Sequence, residues 1–412
     1  MIIGTTIRAG LLGEKLGHSF SPRIHSELAD YPYRLIELAE HEVGDFLKNG
    51  DCDALNVTIP YKQTVIPFLD EMTDAATRIG AVNTILRKSD GRLIGHNTDY
   101  AGFFDLATSL GVPFTGKKVL VLGSGGASRT AVIVAKDMGA REVIVISRSG
   151  ENNYENLEKH ADAEILINAT PVGMYPKNGV TPLDIDRLPH LEGVLDMIYN
   201  PARTKLLQDA AKKGIPCKNG LLMLVSQARR ATEFFLDTSI ADSEVERITQ
   251  SIARDTENII LIGMPGCGKS TLGALLAERL GRKLVDCDAE IVKDAGCSIP
   301  EIFEKEGEEG FRARETEAVA RVCRESGLVI ATGGGVVTRE RNIPLLNQNG
   351  RVIFLDTPPE GLSVAGRPLS KARSPEVLYK ERLPLYRAAA NVTLNITRDI
   401  ESNMKLLEEA LK

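Results

Sequence analysis

The sequence predicts an α/β protein in which parallel sheets recur along the chain, and three observations support this prediction. Short apolar strands alternate with helical segments, which is typical of parallel sheets covered by helices. A glycine-rich turn at Gly123–Ser128 joins a strand to a helix, and a second such loop, Gly263–Ser270, follows the apolar run Ile259–Ile262. A chain of 412 residues has room for about two to three domains.

Composition narrows the class of protein. The net charge of −6 argues against nucleic-acid binding, for which a basic stripe is expected. No apolar run approaches the ~20 residues of a membrane span, and the first ten residues lack the pattern of an export signal. Six cysteines are scattered without C-x-x-C spacing, which favours reduced thiols. We therefore expect a cytoplasmic protein whose partners are small molecules, with neither nucleic acid nor membrane among them.

The first strand, Ala9–Leu12, leads to a polar corner. Ser19 and Ser21 stand two residues apart just before Pro22. Two hydroxyls so placed can grip a carboxylate or a hydroxyl group, although serine and proline are also common at ordinary helix starts.

Polar residues follow the next strands. An apolar strand begins at Ala54 and runs into a loop that ends on Lys62, and the segments Gly80–Thr84 and Gly95–Gly102 each read as a short strand ending in a polar side chain. Ligands sit at strand ends of open α/β sheets. We therefore predict that Lys62 and Asp99 form a proton-transfer pair, with burial shifting the lysine towards its neutral form.

The turn Gly123–Ser128 predicts a dinucleotide site. It stands between strand Lys118–Leu122 and helix Arg129–Met138, and Ser128 replaces the last glycine of the usual G-x-G-x-x-G pattern. Further strands at Ile165–Asn168, Val194–Met197 and near Pro216 continue the alternation.

The residues after the next strand predict which dinucleotide is bound. The strand Glu142–Ile146 ends at Ser147–Ser149, where a site for NAD would carry an acidic residue. An arginine between two hydroxyls suits a 2′-phosphate, so we predict NADP. A surface arginine after an edge strand is the alternative.

A polar connector follows. Val245, Ile248 and Ile252 recur at helical spacing between Asp237 and Asn258, which indicates a connecting helix and hinge.

The loop Gly263–Ser270 has the spacing of a phosphate-binding loop. Its backbone N–H groups surround phosphate, Lys269 reaches the β and γ oxygens, and Ser270 points at Mg²⁺. Thr271 opens an amphipathic helix that Gly281 closes. The loop therefore predicts a nucleoside triphosphate site rather than a chance glycine-rich turn.

Two carboxylates follow the next strand, Lys283–Val285. Asp286 and Asp288 can divide the chemistry, one ordering Mg²⁺ and the other accepting a hydroxyl proton; exposed turn aspartates are the alternative. Helices are predicted to begin at Ile299 and Gly307, a buried strand at Val329–Ala331 runs into Thr332–Gly335, and Arg351–Leu355 is the last clear strand.

Residues 10–250 resemble shikimate dehydrogenase. The resemblance rests on the serine corner, Asn56–Lys62, Gly80–Thr84, Asn97–Gly102, Asn168–Met174, Asp196–Pro201 and Asn219–Ala228. It implies that the polyhydroxy acid is contacted by Ser19, Ser21, Thr58, Asn83, Asp99, Tyr199 and Gln227, and that Lys62 and Asp99 are catalytic. It implies NADP contacts from Gly123, Ser124, Gly125, Gly126, Ala127, Ser147, Arg148, Ser149, Met197 and Gly220. Ser147–Ser149 departs from the family's usual Asn-Arg-Thr, so the cofactor prediction depends on Arg148.

Residues 257–412 resemble shikimate kinase. The resemblance implies shikimate contacts from Asp288, Arg312, Gly334 and Arg382, with Asp288 also the base. It implies ATP contacts from Gly266, Cys267, Gly268, Lys269, Ser270, Thr271 and Arg367, and a magnesium side formed by Ser270 and Asp286. The segment Pro359–Gly366, where the family's lid over the nucleotide is expected, is short for the family and has no basic residue.

Together the two resemblances imply a bifunctional enzyme of aromatic amino acid biosynthesis that uses NADP(H), ATP and Mg²⁺. The implied fold is a two-domain dehydrogenase, an α/β substrate domain plus a Rossmann NADP domain, followed by a P-loop kinase domain of α/β/α type. We expect a substrate domain at 1–100 plus 221–240, a Rossmann domain at 101–220, a linker at 241–256 and the kinase at 257–412. Two alternatives stay open: a quinate/shikimate dehydrogenase joined to a kinase of the gluconate or nucleotide type, and a nucleotide-sensing scaffold with one inactive half.

Overall fold

The structure is a computed structural model that describes residues 7–17, 19–362 and 374–412. In chain order the strands of these residues are β1 (Ala9–Gly13), β2 (Tyr33–Glu37), β3 (Ala54–Val57), β4 (Glu71–Met72), β5 (Thr84–Arg87), β6 (Leu93–His96), β7 (Lys118–Leu122), β8 (Glu142–Ile146), β9 (Ile165–Asn168), β10 (Gly193–Asp196), β11 (Cys217–Lys218), β12 (Asn258–Ile262), β13 (Leu284–Asp286), β14 (Val329–Ala331), β15 (Gly350–Asp356) and β16 (Val392–Asn395).

The helices of the same residues alternate with these strands. They are α1 (Ser21–Leu28), α2 (Val43–Asn49), α3 (Asp74–Ile79), α4 (Asp99–Ser109), α5 (Gly126–Asp137), α6 (Lys205–Lys212), α7 (Leu221–Leu236), α8 (Asp242–Thr256), α9 (Lys269–Leu280), α10 (Cys287–Ala295), α11 (Ile299–Val322), α12 (Asn342–Asn347), α13 (Pro375–Ala389) and α14 (Ile400–Ala410).

The chain divides into two compact units. The first comprises the chain up to Gly173 together with Thr181–Tyr199 and Asp209–Ser251, and the second comprises Met174–Val180, Asn200–Gln208 and the chain from Ile252 onward. Two short segments that precede α8 in the sequence therefore group with the second unit. The domain boundaries given above remain a prediction.

The first sheet of the first unit is mixed. Its strand order is β2-β1-β3-β5-β6-β4, with β1 parallel to β2 and β3 and β5 antiparallel to both β3 and β6. Gly80–Thr84 was expected to form a strand, but β5 begins only at Thr84, because Gly80 closes α3 in a left-handed conformation with φ 69°. The antiparallel direction of β5 brings its start beside the ends of β3 and β6, with Thr84 opposite Asn56 and His96.

The second sheet of the first unit is parallel throughout and has the order β11-β10-β9-β7-β8. Every residue of its central strand β9 and of the neighbouring β7 is buried, which agrees with strands covered by helices on both faces. Helix α5 begins at Gly126, three residues before the predicted start at Arg129, so the end of the glycine turn belongs to its first turn.

The sheet of the second unit is also parallel, in the order β13-β14-β12-β15-β16. The sequence analysis missed β16 because this edge strand has no fully buried residue. The two predicted helix starts at Ile299 and Gly307 belong to α11, in which Gly307 alone has non-helical angles, φ 70° and ψ −175°. The predicted connecting helix is α8, and its Val245, Ile248 and Ile252 are buried. The three sheets confirm the predicted α/β class.

Candidate active sites

An ion pair lies at the centre of the candidate site in the first unit. Lys62 follows β3, and its Nζ donates a hydrogen bond of 2.7 Å to Oδ2 of Asp99. Asp99 is the first residue of α4, and its backbone N–H donates to the side chain of Asn97 at 2.9 Å. The Lys62 side chain is 27% exposed and that of Asp99 only 9%. The predicted shift of the lysine towards its neutral form remains a prediction.

Asn83 joins this pair to a second predicted contact. Its Nδ2 donates to Oδ1 of Asp99 at 3.0 Å and to Oε1 of Gln227 at 3.3 Å. Its Oδ1 accepts from the backbone N–H of Thr98 at 2.8 Å. The backbone donor determines which side of the amide is the oxygen, so the NH₂ group must face the carboxylate.

The serine corner forms the other side of the site. Oγ of Ser19 donates to Oγ of Ser21 at 3.1 Å, just before α1. The ring of Tyr199 lies 5.8 Å from that of Phe20, measured between centroids, so Tyr199 is beside the corner. Thr58 is half-buried at the end of β3 and donates its backbone N–H to Leu12 O at 2.9 Å.

The glycine turn leaves the N-terminus of α5 accessible. Gly123 has φ 106°, a conformation that favours glycine, and Ser124–Ala127 are exposed. A Cβ at Gly125 would meet no atom within 4 Å, so there is open space above the turn. Ser128, which replaces the last glycine of the pattern, is buried. Exposed N–H groups at a helix N-terminus fit an anionic dinucleotide phosphate.

The other predicted NADP contacts follow later strands of the same parallel sheet. Arg148 and Ser149 are exposed after β8, and Ser147 is half-buried. Gly220 precedes α7, where a Cβ would come within 2.1 Å of the carbonyl oxygen of Met197. Only glycine permits this approach of the two backbones.

The second unit contains a cavity of about 560 Å³ at the carboxyl ends of its strands, where ligands bind in parallel sheets. Predicted ATP contacts and predicted shikimate contacts line the same cavity. These lining residues are Gly266, Gly268, Lys269, Ser270, Thr271, Asp286, Asp288, Arg312, Gly334 and Arg382. Cys267, the remaining loop residue of the ATP set, is buried. Arg367 lies outside the described residues.

The Lys269 side chain of the predicted phosphate-binding loop forms hydrogen bonds within its own loop. Nζ of Lys269 donates to the carbonyl oxygens of Gly263 at 2.9 Å and Met264 at 3.0 Å. Oγ of Ser270 donates to Oδ2 of Asp286 at 2.7 Å. The same carboxylate caps α10, since its other oxygen accepts from the backbone N–H of Asp288 at 3.0 Å.

These donors fit Mg²⁺ only as part of a larger ligand set. In the described part of the chain, no three His, Cys, Asp or Glu side chains are grouped so as to hold a metal ion. A hydroxyl beside one carboxylate is what a magnesium ion needs when phosphate oxygens and water supply its other ligands.

Two buried arginines face the cavity. Arg312 donates to Glu315 at 2.7 Å, with side chains only 5% and 1% exposed. Arg382 donates to the carbonyl oxygen of Gly334 at 3.0 Å, and Tyr386 donates to the same oxygen. Guanidinium groups held in this way can bind a carboxylate by two parallel hydrogen bonds.

Sequence reasoning missed Glu315. Burial raises its pKa, and the adjacent guanidinium of Arg312 opposes that rise. A Cβ on Gly333 would lie 2.7 Å from both Glu315 and Asp288, so the two carboxyl groups meet across the glycine loop. The three-residue spacing from Arg312 on a helix was the available signal.

Family models match two parts of the chain. The model of the shikimate dehydrogenase substrate binding domain matches residues 11–85, and that of shikimate kinase matches residues 265–412.

Curated relatives match the first part of the chain. The NADP(+)-dependent shikimate dehydrogenase of Clostridium beijerinckii is 34% identical over 268 residues, which are 60% of this chain and 97% of the relative. That of Caldicellulosiruptor bescii is 37% identical over 257 residues, or 55% of this chain and 88% of the relative.

Solved structures give the same picture. A chorismate mutase/shikimate 5-dehydrogenase fusion protein from Clostridium acetobutylicum is 37% identical, with a TM-score of 0.57, and the match covers 60% of this chain and 97% of that one. Shikimate 5-dehydrogenase from Thermus thermophilus, in complex with NADP(H) and shikimate, is 30% identical with a TM-score of 0.55, over 60% and 99% of the two chains.

Proposed function

This chain belongs to the shikimate dehydrogenase (NADP(+)) family and carries a shikimate kinase domain after it, and we propose that it catalyses two consecutive reactions. The first is the NADPH-dependent reduction of 3-dehydroshikimate to shikimate. The second is the ATP-dependent phosphorylation of shikimate to shikimate 3-phosphate. One observation carries the proposal: models of two different enzyme families match separate stretches of this chain, residues 11–85 and 265–412. The two proposed reactions are consecutive, because the product of the first is the acceptor of the second.

In the first reaction NADPH supplies the hydride that reduces the C3 carbonyl. The exposed turn Ser124–Ala127 would hold its phosphates, and Arg148 would pair with the 2′-phosphate. The Lys62 ammonium donates the proton to the carbonyl oxygen, and Asp99 orients that ammonium at 2.7 Å. Ser19, Ser21 and Gln227 supply neutral hydrogen-bonding groups suited to the carboxylate and hydroxyls of the substrate.

In the second reaction Arg312 and Arg382 hold the shikimate carboxylate. Asp288 accepts the proton of the shikimate 3-hydroxyl. The oxygen of that hydroxyl attacks the γ-phosphorus of ATP as the bond from the γ-phosphorus to the β–γ bridging oxygen breaks. Mg²⁺, held by Ser270 with Asp286 nearby, would neutralise phosphate charge. Lys269 must exchange its two carbonyl acceptors for phosphate oxygens when ATP binds. A role of Arg367 above the phosphates remains part of the proposal.

No helix in the described ranges combines the length and the apolar character that crossing a bilayer requires. Location in the cytoplasm and dependence on ATP and Mg²⁺ remain parts of the proposal. Of the alternatives, a gluconate-type or nucleotide-type kinase is disfavoured by the shikimate kinase match.

One assay tests the whole proposal. Full-length protein is given 3-dehydroshikimate, NADPH and MgATP, and the products are followed by chromatography. We expect shikimate 3-phosphate, with shikimate accumulating when ATP is omitted and no product when NADPH is omitted. NADPH consumption that never yields a phosphorylated product would overturn the kinase assignment. Protein that phosphorylates added shikimate but does not consume NADPH with 3-dehydroshikimate would overturn the dehydrogenase assignment.

A further inference from the structure

A series of hydrogen bonds connects Tyr33 to Asn83 of the candidate dehydrogenase site, and no step of the proposed chemistry uses it. The Tyr33 hydroxyl donates to Oδ1 of Asn56 at 2.8 Å, and Nδ2 of Asn56 donates to Oγ1 of Thr84 at 3.4 Å. Thr84 in turn donates to Oδ1 of Asn83 at 3.0 Å. We call Tyr33, Asn56 and Thr84 the Tyr33 network.

In each hydrogen bond of the network, the donor and the acceptor are fixed. The backbone N–H of Thr98 donates to Oδ1 of Asn83, so that oxygen accepts and the hydroxyl of Thr84 must donate to it. The Thr84 oxygen is then free to accept from the NH₂ group of Asn56. The oxygen of Asn56 consequently faces Tyr33, which must be the donor. Both asparagine amides are thus held in one of their two orientations.

The antiparallel pairing of β3 and β5 makes this series of hydrogen bonds possible. Tyr33 lies on β2, Asn56 on β3 and Thr84 on β5, and Thr84 is directly opposite Asn56 in the sheet. Asn83 comes just before β5 and contacts Asp99 at 3.0 Å. The network therefore ends on Asn83, the side chain that contacts Asp99 of the ion pair.

A buried histidine supports the tyrosine ring. His25 is 1% exposed, and its ring stacks on that of Tyr33 with centroids 4.0 Å apart and planes at 11°. Desolvation lowers the pKa of His25 to about 3, so the ring is neutral at physiological pH. Its Nδ1 pairs with the Tyr31 hydroxyl at 2.6 Å and with Thr232 on α7 at 3.2 Å.

The phenol of Tyr33 is also a permanent donor. Desolvation raises its pKa well above 10, so it keeps its proton over the working range of pH. Loss of this donor would remove the hydrogen bond to Oδ1 of the half-buried Asn56, and with it one of the contacts that orient this amide.

We propose that Tyr33 and Thr84 are positioning residues of the dehydrogenase site, which hold the amides of Asn56 and Asn83 in the one arrangement that binds the hydroxy acid. This inference rests on the proposed dehydrogenase function. It assigns neither residue a contact with the reacting atoms, so the predicted effect is on substrate binding.

The test uses full-length Tyr33→Phe and Thr84→Val proteins, each of which removes one hydroxyl with little change of shape. Shikimate oxidation by NADP⁺ is measured at varied shikimate. We expect KM for shikimate to rise about three- to tenfold in each variant, the effect of losing one hydrogen bond. We expect kcat to stay within about twofold and KM for NADP⁺ to be unchanged.

Tyr31→Phe is the matched control. It removes a phenol from the same aromatic cluster, but that phenol pairs with His25 and Thr232 rather than with the Tyr33 network. We expect a similar loss of thermal stability with KM for shikimate unchanged. A merely structural role would raise KM equally in Tyr31→Phe and Tyr33→Phe, and that result overturns the inference.

The remaining outcomes also decide it. Unchanged KM in both test variants, with active wild-type protein, overturns the positioning role and leaves the proposed function intact. Wild-type protein that does not oxidise shikimate overturns the proposed function itself. If one test variant is insoluble, KM of the other decides.

Discussion

At the scale of single residues, Lys62 carries the sharpest prediction for the first unit. Lys62→Ala removes the ammonium that faces Asp99 at 2.7 Å, so NADPH oxidation with 3-dehydroshikimate should fall by about 10²- to 10⁴-fold, the usual effect of losing a general acid. Phosphorylation of added shikimate should stay at the wild-type rate. The exposed lysine Lys88 provides a control, since Lys88→Ala should alter neither activity.

A second prediction concerns Asp288. Asp288→Asn keeps the shape of the side chain and removes its basicity, so kcat for shikimate phosphorylation should fall by about 100-fold or more while NADPH oxidation is unchanged. Asp294→Asn, on the exposed part of α10, is the control. A near-normal turnover in Asp288→Asn would show that Asp288 is not the base.

His25 predicts how stability depends on pH. Burial lowers its pKa to about 3, so below pH 6.5 the unfolded chain binds a proton that the folded chain does not. The contribution of His25 to the free energy of unfolding is therefore fully present above pH 6.5 and decreases as the pH falls below that value. Between pH 8 and pH 5 the loss should be about 2 kcal/mol.

Urea unfolding followed by circular dichroism at the two pH values measures this loss. His25→Gln should be less stable than wild type at pH 8 but should lose about 2 kcal/mol less on going to pH 5. His190→Gln, which changes an exposed histidine, should keep the wild-type pH dependence. Identical pH dependence in wild type and His25→Gln would contradict the burial argument.

At the scale of elements, two loops of the second unit meet at Gly334. A Cβ there would lie 2.5 Å from ring carbons of Pro265 in the phosphate-binding loop, and the carbonyl oxygen of Gly334 accepts from Arg382 and Tyr386. Gly334→Ala should therefore displace both loops, since overpacking of this kind costs about 1–3 kcal/mol.

The expected result is a rise of about tenfold in KM for both MgATP and shikimate, which corresponds to about 1.4 kcal/mol. Steady-state kinetics at varied concentrations of each substrate measure it, and the dehydrogenase activity of the same chain is the internal control. An effect on only one of the two KM values would mean that the loops are not coupled through this contact.

At the scale of the whole molecule, two activities in one chain need not depend on each other. Each candidate site is complete within its own unit among the described residues. A mixture of Lys62→Ala and Asp288→Asn proteins should therefore convert 3-dehydroshikimate to shikimate 3-phosphate, because shikimate released by one chain can be used by the other.

The time course of this conversion is the measurement. After mixing with NADPH and MgATP we expect a lag while shikimate accumulates to the level that the kinase site needs, followed by a steady rate. Wild-type protein at the same concentration of active sites should show the same lag. A mixture that forms no phosphorylated product, beside an active wild type, would mean that shikimate must pass within one chain.

Short motifs made much of this predictable from the sequence. The predicted phosphate-binding loop, the glycine turn after β7, Arg148 after β8 and the carboxylates after β13 are each local patterns whose neighbouring residues are predicted to bind one ligand. Local patterns also predicted α8, because its apolar residues recur at helical spacing. They predicted the α/β class, which the three sheets confirm.

Contacts between distant residues could not be predicted in this way. Gly80–Thr84 was interpreted as a strand because nothing in its sequence shows that Gly80 ends α3. Tyr33, Asn56 and Thr84 were not connected because their contact depends on the register of β3 against β5. Glu315 was overlooked because its burial beside Arg312 depends on how the helix faces the cavity.

The sequence by itself determined the fold class and the two families that the chain resembles, and it predicted where phosphates would be held, because these depend on residues close together in the chain. Only the tertiary structure decided that Asn83 lies between Asp99 and Gln227 and that the Tyr33 network contacts Asn83, and it gave the predicted pair of Lys62 and Asp99 its distance of 2.7 Å. The physical reason is that strand order and register, set by burial of whole sheets, bring together side chains whose separation in sequence gives no sign of their contact.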